Sequence, residues 1–526
     1  MDLTEARGFN DTTQVIKEGE TLRKNTSIYL VSLFAASAFI MGGCISVGPD
    51  YKEPELNVPE GWGGSTNGVS PGVSSISEWW SVFNDETLNG LIEKAATNSP
   101  DLKIAAERIE EAAALNGVAK SYWYPQIAAE GNITSLRASE KVYSTLPPGK
   151  NKATYYSIGG SMGWELDLWG HVRRLVESSR ASMQATIEAY RDTMVILYGE
   201  IAYQYIQVRT LQNRIELTRQ SIRLQEETLQ MTSDRNKAGL SPDLDLYQAK
   251  MNLAQSRAAI PPLRIALAKA THRLAVLVGD EPASLRELMQ VDKSKIPVPP
   301  EEIAVAVPAD VMRQRPDVRA AERRLAAQTA LIGVKKAELY PTLTLPGTLR
   351  IEAYSAGDLD GDALSYGFGP GLRWNLFSGG RIRAEIKAEE SRSRQAYIGY
   401  KQTILRALED VENSMVSIRE ERLRVESLRD AVTASGKSLD LVKDLYKAGL
   451  TDFQNVLATE QAYMHNRDKL SAAEGNIAAY TVQLYKALGG GWHAEEPDAL
   501  DDKSGVKENG EVQKVADEPT ESDKKQ

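Results

Sequence analysis

Four short stretches of this chain alternate apolar and polar residues with a period of two. Between and after them run helical segments of unusual length. After Tyr340-Pro341, Leu343, Leu345, Gly347, Leu349 and Ile351 share one face, and Thr342, Thr344, Thr348, Arg350 and Glu352 share the other. That is the pattern of a strand with one dry and one wet side. In the expected return strand, Tyr366, Phe368, Pro370, Leu372, Trp374 and Leu376 oppose Ser365, Gly367, Gly369, Gly371, Arg373 and Asn375. Earlier, Tyr156, Ile158, Met162, Trp164, Leu166 and Leu168 oppose Ser157, Gly159, Ser161, Glu165 and Asp167, and the stretch from Gln126 to Leu136 alternates more weakly. Each strand is close to the roughly 9–11 residues that cross a bilayer obliquely. Tyr156, Trp164, Tyr366 and Trp374 suit a membrane interface.

From His171 to Asp234 there is no proline and Gly199 is the one glycine; from Arg381 to Asp444 there is again no proline, with Gly399 and Gly436. Each run, as one helix, extends about 95 Å. The second run has heptad spacing through Ile404, Leu408, Val411, Met415, Ile418, Val425, Val432 and Leu439, interleaved with Leu428 and Val442, so it belongs to a coiled-coil cylinder rather than to an ordinary core. Gly239 and Gly449 suit left-handed C-terminal caps. Ser241 and Thr451 are the expected N-caps of returning helices, with Pro242 at a first position, and those helices run to about Val278 and Leu488.

The chain is duplicated. Asp234, Lys237-Ala238-Gly239-Leu240 and Gly279 match Asp444, Lys447-Ala448-Gly449-Leu450 and Gly489, while Trp164, Leu166, Gly170 and Arg173 match Trp374, Leu376, Gly380 and Arg383. Pro100-Asp101, Gly117-Val118 and Tyr124-Pro125 match Pro316-Asp317, Gly333-Val334 and Tyr340-Pro341. The expected layout is a signal segment 1–43, a lipidated segment 44–98, repeat one at 99–279, an irregular connector 280–315, repeat two at 316–491 and an acidic disordered tail 492–526. Each repeat reads helix, strand, strand, long helix, return helix. Four strands are too few to close around a pore, and an open edge in lipid leaves backbone groups unpaired at several kcal/mol each. The barrel is therefore expected to be shared between two, three or four copies.

Composition narrows the function. Mean hydropathy is −0.36 and no apolar run of helix-spanning length follows the N-terminus, which excludes a polytopic helical membrane protein. Of the net charge of −10, the tail carries −6 and residues 44–491 only −3, so no basic face for nucleic acid exists. Four scattered histidines and one cysteine form no metal spacing, and no nucleophile or acid–base motif marks an enzyme. Arg23-Lys24, the apolar run Ile28–Met41 and Gly42-Gly43-Cys44 have a secretory-signal layout ending at a lipidation site, with Met41 and Gly42 departing from the usual box. Residues 1–20 do not look like a signal, and initiation is expected near Leu22. A plain signal peptide with an incidental cysteine is the competing reading. Ile45-Ser46 after Cys44 resembles the sorting pattern of outer-membrane lipoproteins.

Several segments together resemble a known family: Cys44 followed by Gly48-Pro49-Asp50-Tyr51-Lys52-Glu53-Pro54, Trp79-Trp80, Arg315-Pro316-Asp317, Trp374-Asn375-Leu376-Phe377, and Tyr485-Lys486-Ala487-Leu488-Gly489-Gly490-Gly491-Trp492. The chain is similar over 44–492 to TolC-type outer-membrane factors, in the NodT-like lipoprotein branch serving resistance–nodulation–division (RND) pumps. The resemblance implies a mainly α fold with a β-barrel: a homotrimer with a twelve-stranded barrel continued by an α-helical periplasmic tunnel. It implies a passive, lipid-anchored duct for drug-like molecules in the bacterial outer membrane, partnered by a periplasmic adaptor and an inner-membrane RND pump. No cofactor is implied beyond the lipid on Cys44.

By the same resemblance Asp245 matches a gate aspartate and Tyr446 a latch tyrosine at the periplasmic end, and Asp243 and Asp452 beside them are expected to belong to the same gate. Asn455 and Ala458 stand where the best-known members carry aspartates, and Asp452 and Glu460 are the nearby replacements. The competing reading of Asp243, Asp245 and Asp452 is helix capping and first-turn dipole compensation. Gly239, Leu240, Gly449 and Leu450 are the expected adaptor contacts, with local hairpin packing as the alternative. Two further readings stay open: the same fold serving type I protein secretion or metal efflux, and a coiled-coil periplasmic lipoprotein without a pore. The cargo and the adaptor are not readable from the residues.

Overall fold

The computed structural model describes residues 46–55, 58–63, 69–71, 76–137, 139, 141, 152–290 and 295–492. Cys44, the expected signal segment and the tail from 493 lie outside them. Repeat one contains α2 (Pro100–Ser121), β2 (Gln126–Arg137), β3 (Lys152–Leu166), α3 (His171–Lys237) and α4 (Asp243–Val278). Repeat two contains α6 (Pro316–Ala337), β5 (Thr342–Ala353), β6 (Leu364–Phe368), β7 (Gly371–Arg373), α7 (Arg381–Lys447) and α8 (Phe453–Ala487). The long helices α3 and α7 both have 67 residues, about 100 Å at the standard rise. Each enters from a left-handed glycine, Gly170 or Gly380.

Both long helices stop in the same way. Leu240 N–H donates to Arg235 O (2.8 Å) and Gly239 N–H to Asn236 O (2.9 Å); Leu450 and Gly449 repeat the pair on Leu445 and Tyr446. These are Schellman turns, with Gly239 (φ 69°) and Gly449 (φ 73°) at the left-handed position. The return helices start later than expected. Asp452, not Thr451, is the N-cap of α8 and accepts from Asn455 N–H. In repeat one, Pro242 is extended and precedes α4 without a side-chain cap. Ser241 lies in the turn, where its carbonyl accepts from Asn236 Nδ2, and its hydroxyl caps no N–H of α4. Pro261 and Pro262 lie within α4, on its exposed side.

The hairpins of both repeats join in one sheet, ordered β2, β3, β5, then β6 and β7 side by side along β5, with antiparallel pairing throughout. The register aligns one apolar face across it: Ile127 with Met162, Trp164 with Leu345, Ile158 with Ile351, Leu349 with Tyr366. The opposite face is polar. Glu130 and Arg350 both oppose Gly159, and across that bare position they pair at 3.1 Å. The expected continuous strand 365–376 is interrupted at Gly369-Pro370. Register places Pro346 and Leu345 of β5 opposite them; one of these adjacent pairs is the hydrogen-bonded one, and since each contains a proline a ladder donor is missing there in either case. Trp374-Asn375-Leu376-Phe377 therefore follow the strand. Within the protomer the outer edges, β2 and β6/β7, have no further strand beside them among the described residues.

The core lies midway along the helices. Trp79, Phe83, Leu88 and Ile92 pack with Ile201, Tyr205, Ile404, Val411 and Tyr485. α1 (Glu86–Asn98), capped by Asp85, belongs to it. The connector is less irregular than expected, because β4 (Ile303–Val305) pairs in parallel with β1 (Val69–Pro71) and α5 (Pro308–Gln314) follows. Here α8 ends against the start of α6: Gly489 abuts Arg315 and Pro316, and Arg315 Nη1 donates to Ala487 O at 2.7 Å. Gly279, closing α4, abuts Asn98 O in the same way, next to the start of α2. Trp492, expected as the first tail residue, is packed instead, with the Arg191 and Arg319 guanidiniums 4.9 and 5.3 Å from its ring.

Candidate functional site

The chemistry-bearing residues gather at the helix tips opposite the sheet. Gly239 and Leu240 in one turn, and Gly449 and Leu450 in the other, are exposed; the leucines are 66% and 74% accessible. Most of each leucine faces solvent. Behind the tips Tyr446 is 3% exposed, among Ala249, Phe453, Val456 and Leu457. Its hydroxyl donates to Asp245 Oδ2 over a long 3.5 Å, so the two expected latch residues do meet. The Arg235 guanidinium lies 4.8 Å from the Tyr446 ring and donates to Lys447 O. Burial, then Asp452 nearby, raises the Asp245 carboxyl above its ordinary range, while the hydrogen bond from Tyr446 opposes this. Burial and the Asp245 charge raise the Tyr446 hydroxyl.

The other acids divide. Asp243 is exposed and accepts from Asn236 Nδ2 at 3.0 Å, tying the tip turn together. Asp452 caps α8. Asn455 donates to Thr451 Oγ1, and Ala458 is exposed. Glu460 does not take up the exposed role expected of it. It is 1% exposed, between Thr228 of α3 and Lys443 of α7. A helix-period reading of α8 alone could not find this, because the partner helix that covers Glu460 comes from the other repeat. Arg235 was also missed; its counterpart in repeat two is Leu445, and that asymmetry was the available signal.

Two coiled pairs, α3 with α4 and α7 with α8, meet where α3 faces α8. Polar side chains tie this seam. Arg214 grips Asp468 with two bonds of 2.7 and 3.0 Å, Arg467 donates to Gln220 at 2.6 Å, and Gln461 reaches Asn252 of α4 at 3.2 Å. At the far end, Val47 N–H donates to Trp169 O and Asp50 pairs with Arg174 at 2.6 Å. The chain two residues beyond Cys44 is thus fixed where β3 turns into α3, with Ser46 against Gly170. Among the described residues no group of three or more His, Cys, Asp or Glu is placed to hold a metal, and no helix is long and apolar enough to cross a membrane.

Comparison with known proteins gives concordant matches. The profile of a family described as outer membrane efflux protein matches residues 91–280 and 307–490, one segment in each repeat. Nodulation protein T of Rhizobium leguminosarum bv. trifolii is 29% identical over 462 residues, 87% of this chain and 96% of that protein. A probable outer membrane lipoprotein, SilC, of Salmonella typhimurium is 26% identical over 466 residues, 88% of this chain and 98% of that one. Among solved structures, the outer-membrane channel OprN superposes with a TM-score of 0.77 at 30% identity, covering 85% of this chain and 99% of that chain.

Proposed function

The chain belongs to the outer membrane efflux protein family, and from that premise we propose that it is the channel subunit of a tripartite pump. Its setting is the outer membrane, and its relatives are channels, not enzymes. Three copies pool their strands into one twelve-stranded barrel, and their helices continue as a tunnel across the periplasm. Lipid on Cys44 anchors each copy. Small, drug-like molecules pass through after a periplasmic adaptor and an inner-membrane RND pump deliver them. The duct needs no cofactor, since energy enters at the pump.

One observation carries this reading: a sheet with a continuous apolar face, a paired polar face and two open edges, held at the end of helices about 100 Å long. Ile127, Ile133, Leu349, Tyr366 and Leu372 are all exposed on the apolar face. In water this face and these edges invite aggregation; in lipid they require sister strands. Asp245 and Tyr446 form the periplasmic latch, and the Gly239-Leu240 and Gly449-Leu450 turns meet the adaptor. Asp243 and Asp452 stabilise their turns beside it.

The test uses the full mature chain purified in detergent. The expected result is a heat-resistant oligomer of three chains by light scattering, giving discrete conductance steps in a planar bilayer. A monomer that stays in water without detergent or lipid rejects the proposal. A deletion strain with raised sensitivity to hydrophobic antibiotics, and unchanged sensitivity to metals, supports drug-like cargo over metal.

A further inference from the structure

The Arg214–Asp468 pair of the α3–α8 seam keeps contact with water. Glu460 is the carboxylate of the seam that is almost wholly covered, at 1% exposed. One of its carboxylate oxygens is 3.2 Å from Thr228 Oγ1 on α3, and Lys443 Nζ on α7 lies 3.7 Å away. Thr228 has a single hydroxyl proton, and Leu224 O, at 3.0 Å, is its nearer acceptor. An ionised Glu460 therefore competes with Leu224 for that proton. A protonated Glu460 donates to Thr228 Oγ1 while Thr228 donates to Leu224 O, which ends that competition and gives up the charge pairing with Lys443.

We propose that Glu460 is a positioning residue of the gate: its side chain pins α8 to α3 near the periplasmic end, and its protonation state sets how firmly the α7–α8 pair is held closed. This rests on the reading of that end as the gate. Position supports it. Glu460 lies about two turns from the α8 N-cap. Phe453, Val456 and Leu457 of the same helix bury Tyr446, so a pin here also holds the latch tyrosine in its cluster. The exposed side of the same turns carries the neutral Asn455 and Ala458. The acid is thus spent on the seam and not on the exposed wall. The charged group facing it is Lys443 of α7, and α3 presents Thr228.

Burial raises the Glu460 carboxyl above its ordinary range, with Lys443 and Thr228 opposing. The closed seam therefore binds this proton more tightly than a parted seam open to water. Closure is fully favoured below the ordinary carboxylate range and weakens as pH rises through the raised value.

Glu460→Gln mimics the protonated acid and keeps a donor for Thr228; Glu460→Ala removes the pin. Amide hydrogen exchange of the full chain in detergent, corrected for its intrinsic pH dependence, is read over residues 453–465 at about pH 4, below the ordinary glutamate value, and at about pH 8. Exchange in the unsubstituted chain is expected to rise severalfold between the two. Glu460→Gln is expected to exchange slowly at both and to lose at least about half of that pH response, the remainder coming from Asp245. Glu460→Ala is expected to exchange fast at both; should it fail to fold, Glu460→Gln alone decides. If Glu460→Gln follows the unsubstituted chain at both pH values, the pin is overturned. Channel conductance separates the two readings. Seam exchange that follows Glu460 without any change in conductance upholds the pin and rejects the gate. A conductance that rises in the Asp245→Ala, Tyr446→Phe chain but ignores both Glu460 variants, with exchange also unchanged, rejects the pin and leaves the gate.

Discussion

At the scale of single residues, the helix tips proposed as the gate are joined by a long polar contact and a buried one. Tyr446 reaches Asp245 at 3.5 Å and is pressed by Arg235. Such a hydrogen bond contributes about 1 kcal/mol, somewhat more to a charged acceptor. Asp245→Ala with Tyr446→Phe is expected to raise single-channel conductance in planar bilayers several-fold; an unchanged conductance removes the latch assignment. The raised Asp245 carboxyl adds its own pH dependence. The closed form prefers the protonated acid, so conductance of the unsubstituted channel is expected to increase from acid toward neutral pH, and a decrease would contradict the assignment. Asp245 and Tyr446 could be picked out in the sequence because their positions relative to the tip glycines resemble the family pattern. Glu460 could not be placed correctly, because its burial depends on which helix of the other repeat lies against it.

At the scale of elements, the duplication was legible almost residue by residue. Proline-free runs gave the long helices, and alternation gave β2 and β5 to within a residue of their ends, while β3 starts four residues before the expected Tyr156. The misses are local. Pro370 sits on the apolar face of a good alternating pattern, yet a missing N–H matters more there than side-chain periodicity. Asp452 displaced Thr451 as cap because a Schellman turn consumes two residues beyond the glycine before the chain can reverse. The left-handed glycines are testable. A Cβ at Gly239 meets no atom within 4 Å, so Gly239→Ala suffers only the backbone cost, about 1 kcal/mol. Hydrogen exchange at the tip, centred on Leu240, is expected to accelerate about fivefold while that at mid-helix stays constant; equal rates at the tip would argue against the cap.

At the scale of the whole molecule, strand order was the part the sequence could not supply. That β3 pairs with β5, joining the two repeats, depends on how two distant corners sit side by side. The matching bonds Trp164 Nε1 to Trp123 O and Trp374 Nε1 to Leu339 O, each 3.0 Å, mark those corners. On the proposed reading the sheet itself spans lipid, so the proposed anchor at Cys44 is a second hold and not the only one. Cys44→Ser is expected to lose the acyl mass by mass spectrometry yet remain in the outer-membrane fraction; release into the aqueous fraction would show that the strands do not span. The butted helix ends have a mechanical consequence. α3 and α7 are one-piece staves, whereas α4 with α2 and α8 with α6 are spliced at Gly279 and Gly489. A whole stave can only flex. A spliced one is expected to swivel at its joint with no turn of helix unwound, so that the tips can shift while the half nearer the sheet keeps its place.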